Sequence, residues 1–129
     1  MRLPVQLIES FDDAQLNFEA LQGDANWSVP ALINSWVYYG SGGYETVGFR
    51  KNGFREVRLK GSLKSGSNGT VAFVLPPGYI PGATGQYAAA SASQDGAVVV
   101  IDTSGNVSPF GTGVGTYVSL AGITFLAEN

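Results

Sequence analysis

The run from Asn52 to Pro81, NGFREVRLKGSLKSGSNGTVAFVLPPGYIP, decides the fold of this chain. Asn52-Gly53 is the dipeptide that most readily forms a two-residue type I′ hairpin turn, so it predicts a strand on either side. Polar and apolar residues then alternate as far as Leu63, as in a strand with one buried face. Ser67-Asn68-Gly69 predicts a second turn, and the prolines after Leu75 end strand pairing because proline has no N–H to donate. The run therefore predicts short strands bounded by turns.

The same signals recur along the rest of the chain. Eighteen glycines and six prolines in 129 residues fit a turn-dense β protein. Asp95-Gly96 predicts another type I′ turn, and residues 109–115 predict a glycine-rich loop. Together the signals predict about eight strands, at residues 34–39, 46–51, 54–63, 70–75, 86–93, 97–102, 107–108 and 116–126, the last broken near Gly122. We predict a mainly β fold, an antiparallel β-sandwich or jelly roll, as a head domain over residues 26–129.

Residues 7–22 carry the one convincing helical pattern. Ser10 suits an N-cap, and Asp12 and Asp13 lie in the first turn, where the helix dipole favours negative charge. Apolar residues recur at the spacing of a coiled-coil seam, at Leu7, Phe11, Ala14, Phe18 and Leu21. The helix could pack on its own β domain or form the end of an oligomer stem. We predict the stem, with residues 1–25 as a short helical oligomerisation segment ahead of the β domain.

The composition excludes several classes of function. The chain has no cysteine and no histidine, which excludes disulfides, thiolate nucleophiles, Ser-His-Asp machinery and ordinary zinc sites. It contains no run of about 18 apolar residues, so no transmembrane segment or membrane insertion is predicted. The net charge of −3 argues against nucleic acid as a partner. No cofactor and no metal is implied.

The charged residues are segregated along the chain. Five of the ten acidic residues precede Trp27, and six of the seven basic residues lie between Arg50 and Lys64. The two groups could pair with each other, within one chain or between chains. Alternatively, Arg58 and Lys60, with Glu56, form a strip that attracts anionic cell-wall polymers such as phosphate-rich glycans. Ordinary surface charge is the third hypothesis.

Aromatic residues surround the flexible loop from Gly40 to Gly43. Aromatic rings stack on sugar faces, and a tyrosine hydroxyl can also bond sugar oxygens. Tyr38, Tyr39 and Tyr44 are therefore the candidate ligand-binding residues. The alternative is that these tyrosines and Trp36 fill the core or a subunit interface.

A glycosidase would need two nearby carboxylates, and Glu45, Asp95 and Asp102 are the candidates in the β region. Asp95 is better explained as the turn residue before Gly96, and Asp102 as the edge of a hairpin. We therefore predict no enzymatic activity and name no catalytic residue.

Four motifs in this order resemble the C-terminal β-domains of bacteriophage tail-fibre and receptor-binding proteins. Residues 55–66 resemble their G-x-V-x-L-x-G-x-[IL]-x-x-G run, and Leu75 to Pro81 resembles their L-P-x-G-Y-x-P corner. Residues 98–107 resemble their V-x-I-x-x-x-G-x-V hairpin, and residues 118–125, VSLAGITF, resemble their usual ending. Residues 7–21 resemble the short helix that precedes such domains. Ala121 departs from the pattern, because many relatives have a polar residue there.

The resemblance implies a homotrimeric, non-enzymatic domain on the surface of a virion. Its partners would be a bacterial cell-surface carbohydrate, bound by avidity from three weak sites, and other virion proteins. Two alternatives stay open. One is a structural trimer, decorating a capsid or forming a head or collar fibre, without a receptor of its own. The other is a fragment of a polysaccharide depolymerase.

Overall fold

The computed structural model describes residues 26–40 and 42–129, which form ten strands and no helix. The strands pair antiparallel into three sheets, in the orders β1-β4-β9, β10-β3-β2 and β5-β8-β7-β6. The predicted mainly β, antiparallel class is confirmed. The strands are β1 (Val37–Tyr38), β2 (Gly48–Lys51), β3 (Glu56–Lys60), β4 (Ser62–Lys64), β5 (Phe73–Val74), β6 (Gly85–Ala89), β7 (Ala97–Ile101), β8 (Asn106–Gly111), β9 (Val118–Ser119) and β10 (Thr124–Leu126).

The predicted helical stem, residues 1–25, lies outside the described residues. Its seam, Leu7, Phe11, Ala14, Phe18 and Leu21, lies outside them as well. In the described part of the chain, no helix is long and apolar enough to cross a membrane.

Two kinks explain why the roughly eight predicted strands become ten and why a third sheet forms. Gly61, at φ +94°, separates β3 from β4, and a turn containing Gly122, at φ +86°, separates β9 from β10. Strand β3 pairs with β10 in one sheet, and β4 pairs with β9 in another. The segment β3–β4 and the segment β9–β10 therefore both pass between the same two sheets at the same level. The expected sandwich of two sheets is thereby divided into three.

One apolar cluster fills the space between the sheets. Strand β7 shows the alternation that builds it, because Ala97, Val99 and Ile101 are buried while the two valines between them are only partly so. The Trp36 side chain is 2% exposed, and its Nε1 donates to the Thr70 hydroxyl at 2.9 Å. Each fully buried large apolar side chain contributes roughly 1.5–3 kcal/mol to folding. Trp36 therefore belongs to the core rather than to a ligand site.

Neither of the two predicted type I′ turns forms. After β2 the left-handed residue is Arg55, at φ 65°, and not Asn52 or Gly53. The loop therefore has three residues, and the last of them, Arg55, is in the left-handed conformation. The Asn52 side-chain oxygen accepts the N–H groups of Phe54 and Glu56, at 2.9 and 3.0 Å, and these bonds favour the longer loop. At the other site only Gly96 has a positive φ.

Positive φ angles at two successive residues occur instead at Asn34 and Ser35, at 56° and 68°. The Trp36 N–H closes this turn by donating to the Ile33 carbonyl at 3.1 Å. The turn breaks the strand predicted over residues 34–39, so that only Val37 and Tyr38 remain extended and paired.

Pro109 lies inside β8, not in the predicted glycine-rich loop. It faces Val99 of β7, while its carbonyl accepts the Gly69 N–H at 2.8 Å. In an antiparallel strand the backbone N and O of one residue point to the same side. The N–H that Pro109 lacks would therefore point towards Gly69 and away from β7. Strand β7 consequently loses no hydrogen bond to the proline.

Asp102 caps the hairpin between β7 and β8 as Asn52 caps the hairpin after β2. Its Oδ1 accepts the N–H groups of Ser104 and Asn106, at 2.9 and 3.0 Å, and its Oδ2 accepts from the Asn106 side chain at 3.0 Å. Desolvation alone would raise the pKa of this carboxyl. The hydrogen bonds from Asn106, Ser104 and Gly105 outweigh desolvation and hold the pKa below its ordinary value.

We predict that Asp102→Asn reduces the acid sensitivity of the fold. Because the folded pKa lies below the unfolded value of about 3.9, ionised Asp102 stabilises the protein above about pH 4. That contribution is lost as the pH falls through the folded pKa. Asparagine keeps the acceptor without the titration, so urea unfolding should show a smaller loss of stability between about pH 5 and pH 2 than in the wild type. An unchanged loss contradicts the prediction. Asp95→Asn is the matched control.

Candidate functional site

Three tyrosine rings form one cluster, which we call the tyrosine cluster. The ring centroids are 4.9 Å apart for Tyr39 and Tyr44, 5.1 Å for Tyr39 and Tyr117, and 5.3 Å for Tyr44 and Tyr117. All three contacts are edge-on, an arrangement that contributes roughly 0.5–1.5 kcal/mol per pair. Within residues 26–40 and 42–129, none of the three hydroxyls hydrogen-bonds another group. The rings therefore hold one another in place while their hydroxyls stay available.

Strand order brings two of these rings together. Tyr39 follows β1, and its N–H donates to the Ser62 carbonyl of β4 at 2.9 Å. Tyr117 precedes β9, and its N–H donates to the Gly113 carbonyl at 3.1 Å. Because β4 lies between β1 and β9, the two tyrosines meet across one narrow sheet.

The glycine-rich loop supplies the third ring. Gly40, Gly42 and Gly43 have φ angles of 71°, 68° and 79°, which glycine adopts without steric penalty. This backbone returns the chain so that Tyr44 packs on Tyr39. The Tyr44 side chain remains 49% exposed, which leaves part of its ring open to a ligand.

The structure thus brings two of the three predicted tyrosines together and leaves the third apart. Successive side chains of a strand point to opposite faces, so Tyr38 faces away from Tyr39. The Tyr38 hydroxyl donates to the Pro30 carbonyl at 2.6 Å. Sequence reasoning missed Tyr117, because only the pairing of β4 with β9 places it here. The role of these tyrosines in ligand binding stays a prediction.

A cleft opens beside the tyrosine cluster, and we call it the tyrosine cleft. Its volume is about 270 Å³, below the roughly 300–1,000 Å³ of pockets that enclose drug-sized ligands. It therefore suits one unit of a longer ligand. It is lined by Tyr44, Glu45, Gly61, Ser62, Tyr117, Ser119 and Ala121.

A second cleft of about 260 Å³, the tryptophan cleft, lies on the other side of the kinks. Its lining shares two residues with the tyrosine cleft, Glu45 and Ala121. The two clefts therefore lie on either side of these residues, near the point where the sheets exchange strands, and we refer to the pair as the groove. The remaining lining residues are Trp27, Arg58, Leu59, Lys60, Gly122, Ile123 and Thr124.

Trp27 is held over the outer face of β2 and β3. Its neighbour Ser28 forms an antiparallel bridge with Phe49, with both N–H to carbonyl distances at 2.9 Å. The Arg50 Cζ lies 4.6 Å and the Lys60 Nζ 4.8 Å from the centroid of the indole ring. Cation–π contacts at exposed sites contribute about 0.5–1 kcal/mol each. Sequence reasoning missed this residue, because the bridge that places it is not visible in any local pattern.

The face beneath Trp27 is basic. Arg50 and Arg58 lie directly opposite each other in the β2–β3 pair, and Lys60 follows on the same face of β3. Directly opposed like charges destabilise an antiparallel pair. In the described residues the one ion pair is Arg58 to Glu56, at 3.4 Å, and exposed pairs contribute at most about 1 kcal/mol. The face therefore carries more positive charge than its own carboxylate neutralises.

The carboxylates considered for catalysis take different places. Asp102 is bound in its hairpin turn, and Asp95 lies in the turn before Gly96. Glu45 is the one carboxylate among the described residues that line the two clefts. In the same part of the chain, no group of three or more His, Cys, Asp or Glu residues could hold a metal ion.

The fold has a counterpart among solved structures. No protein-family model and no curated protein matches the chain. The crystal structure of the receptor binding protein (gp15) of Listeria phage PSA matches with a TM-score of 0.75, over 98% of this chain and 79% of that chain, at 22% sequence identity. This chain has the fold of a phage receptor-binding protein. The resemblance inferred from the sequence motifs is therefore confirmed at the level of the fold.

Within this fold, the proline-glycine corner from Leu75 to Pro81 has a structural role. The Lys51 Nζ donates to the Gly78 carbonyl at 2.6 Å and lies 4.6 Å from the Tyr79 ring centroid. The N–H groups of Gly78 and Ile80 donate to the Asn129 carbonyl, at 2.9 and 3.2 Å. The corner thus holds Asn129 beside β2.

Proposed function

We propose that this chain is the receptor-binding domain of a phage appendage on the virion surface, and that it binds a bacterial cell-surface glycan in the tyrosine cleft. The observation that carries the proposal is the tyrosine cluster. Its three rings hold one another in place at the edge of a cleft, and their hydroxyls make no hydrogen bond in the part of the chain that the structure describes. Rings of this kind offer both a stacking surface and polar groups for sugar oxygens. The receptor-binding role of the Listeria phage protein with the same fold supports the proposal.

Binding without cleavage is the form of the proposal that the cleft favours. Glycoside hydrolysis ordinarily needs two carboxylates about 5–10 Å apart, one on each side of the bond. Among the described residues that line these clefts, Glu45 is the one carboxylate. A depolymerase would release new reducing ends from a bound polysaccharide, and we expect none.

We further propose that three copies assemble, so that three weak sites act by avidity on a repeating surface polymer. The support is the outer face of the β5-β8-β7-β6 sheet. Residues opposite one another share a face, which places Val74, Val98, Val100 and Phe110 together, with Gln86, Ala88, Asn106 and Ser108 around them. This face carries no charge, and Val74 and Phe110 are 49% and 42% exposed. Contiguous exposed apolar surface marks interaction sites.

We predict that Phe110→Asp dissociates the trimer, because three charges would be buried at its interface. Light scattering coupled to size exclusion should then give a monomer mass. Phe54→Asp is the matched control, because Phe54 is exposed at a hairpin tip and its substitution should leave a trimer. Phe18→Asp tests the proposed stem in the same way. A trimer that survives both Phe110→Asp and Phe18→Asp would contradict the proposed assembly.

A whole-cell pull-down and a glycan array test receptor binding. We expect the full chain to bind selected bacterial strains, with Listeria in the panel, and to bind a subset of their surface glycans. A stable trimer that binds no strain and no glycan would favour the structural alternative, a capsid-decorating or collar-fibre protein.

A further inference from the structure

We propose that Asn52 is a site of spontaneous deamidation, where the local structure promotes conversion of the asparagine to aspartate and isoaspartate. The inference is independent of the proposed function. Asn52 and Asn68 are the two asparagines that glycine follows. Glycine has no side chain to obstruct the approach of its nitrogen to the preceding carboxamide, so Asn-Gly is the favoured pair for this reaction. The two pairs differ in the hydrogen bonds of the groups that react.

The reaction needs only water. The backbone nitrogen of Gly53 loses its proton to hydroxide and attacks Cγ of Asn52, and the new C–N bond closes a succinimide ring. The Cγ–Nδ2 bond breaks, and the amide nitrogen takes a proton from water and leaves as ammonia. Water then opens the ring. Opening at Cγ gives aspartate, and opening at the main-chain carbonyl carbon gives isoaspartate, in which the backbone runs through the side chain.

The nucleophile is free in one pair and bound in the other. Gly53 is exposed, and in the part of the chain that the structure describes its N–H donates to no other group. The Gly69 N–H donates to the Pro109 carbonyl at 2.8 Å, and this bond must break before the nitrogen can attack. Asn68 is exposed whereas Asn52 is half-buried, so exposure alone predicts the opposite order of reactivity.

Backbone N–H groups also stabilise the charge that develops around Asn52. Its Oδ1 becomes negative during the attack, and this oxygen already accepts the N–H groups of Phe54 and Glu56, at 2.9 and 3.0 Å. Preorganised donors at such distances stabilise an oxyanion. The Asn52 main-chain carbonyl shares the charge of the deprotonated nucleophile, and it accepts the Arg55 N–H at 3.2 Å. Among the described residues, the side-chain oxygen of the other pair accepts one N–H, that of Gly111, at 3.1 Å.

The two products affect the hairpin differently. Aspartate keeps the acceptor oxygen and adds a negative charge. Isoaspartate adds a methylene to the main chain and attaches its free carboxylate directly to Cα, so the acceptor no longer reaches the N–H groups of Phe54 and Glu56. Because loop length fixes the register of β2 and β3, the isoaspartate form should be the less stable of the two.

Incubation of the full-length protein at mildly alkaline pH, followed by peptide mass spectrometry, tests the inference. Cleavage after lysine releases residues 52–60 and 65–129 as separate peptides, so both pairs are followed in one sample. We expect Asn52 to deamidate about tenfold faster than Asn68 in the folded protein, the factor that one broken hydrogen bond contributes. In urea, where these hydrogen bonds are lost, the two rates should be equal.

Gly53→Ala is the matched variant. The φ of Gly53 is not positive, so alanine fits the backbone, and its methyl group obstructs the nucleophile. This substitution should slow the reaction at Asn52 and leave the rate at Asn68 unchanged. Thermal unfolding shows whether the variant is folded.

Three outcomes would overturn the inference. Two are equal rates in the folded protein and a faster reaction at Asn68. The third is an Asn52 that reacts in urea but not in the folded chain, because the hydrogen bonds to Oδ1 would then hold the side chain away from the nucleophile. A protein that binds no glycan would leave these rates unaffected, so this inference and the proposed function fail separately.

Discussion

Gly61→Ala is expected to lower the free energy of unfolding by about 3 kcal/mol or more, enough to unfold part of the population of a domain of ordinary stability. Two costs add. A residue with a side chain held in the left-handed region costs roughly 1–3 kcal/mol. A β-carbon at position 61 would also lie 2.5 Å from the Val47 nitrogen and 2.7 Å from the Thr46 carbonyl carbon. Overpacking of this kind typically costs a further 1–3 kcal/mol.

Gly96→Ala separates the two costs. Gly96 has nearly the same φ, +88° against +94°, but a β-carbon there would meet nothing within 4 Å. Its substitution should cost only the backbone strain, about 1 kcal/mol. Urea unfolding of the two variants and the wild type gives the comparison. Equal losses in the two variants would show that close packing at the kink adds nothing, and the account of how β3 and β4 change sheets would then be wrong.

Tyr117→Ala is expected to weaken glycan binding tenfold or more. Truncation of an aromatic residue that stacks on a ligand costs roughly 1–3 kcal/mol of binding free energy, as ring stacking on nucleic-acid bases shows. The loss here should lie at the upper end, because Tyr39 and Tyr44 both pack on this ring and lose a support. Binding is measured by surface plasmon resonance with the glycan found on the array.

Two further variants make the result specific. Tyr117→Phe keeps the ring contacts and removes only the hydroxyl, so it should weaken binding less than Tyr117→Ala. Tyr38→Ala truncates a tyrosine outside the tyrosine cluster and should bind as the wild type does. Thermal unfolding shows whether each variant is folded. A folded Tyr117→Ala protein with full affinity would exclude the tyrosine cluster from the binding site.

The strands could be predicted from the sequence because their signals are local. Alternating apolar residues and turn residues located most of them, and the break near Gly122 was predicted. The kink at Gly61 was not, because it depends on the close approach of Val47, which lies just before β2. The prediction of a type I′ turn at Asn52-Gly53 was wrong because the Asn52 side-chain oxygen accepts two backbone N–H groups. These hydrogen bonds favour a longer loop.

The candidate site was predictable only in part. Tyr39 and Tyr44 lie close together in sequence around a flexible loop, so their proximity could be anticipated. Tyr117 and Trp27 reach the groove through strand pairing and an isolated bridge, which no local pattern encodes. Tyr38 was a candidate because it lies beside the same loop. Strand alternation separates it from Tyr39, but which of the two joins Tyr44 and Tyr117 depends on the pairing of β1 with β4, which no local pattern encodes.

The binding of fluorescently labelled full-length protein to a broad panel of bacterial strains tests the central claim most directly, with wild type and Tyr117→Ala compared on the same cells. We predict that the wild type labels a subset of strains, that periodate oxidation of the cell-surface sugars removes the labelling, and that Tyr117→Ala labels the same strains only at protein concentrations about tenfold higher or more. Labelling that survives both periodate and the substitution, or a wild type that labels no strain, would contradict the account.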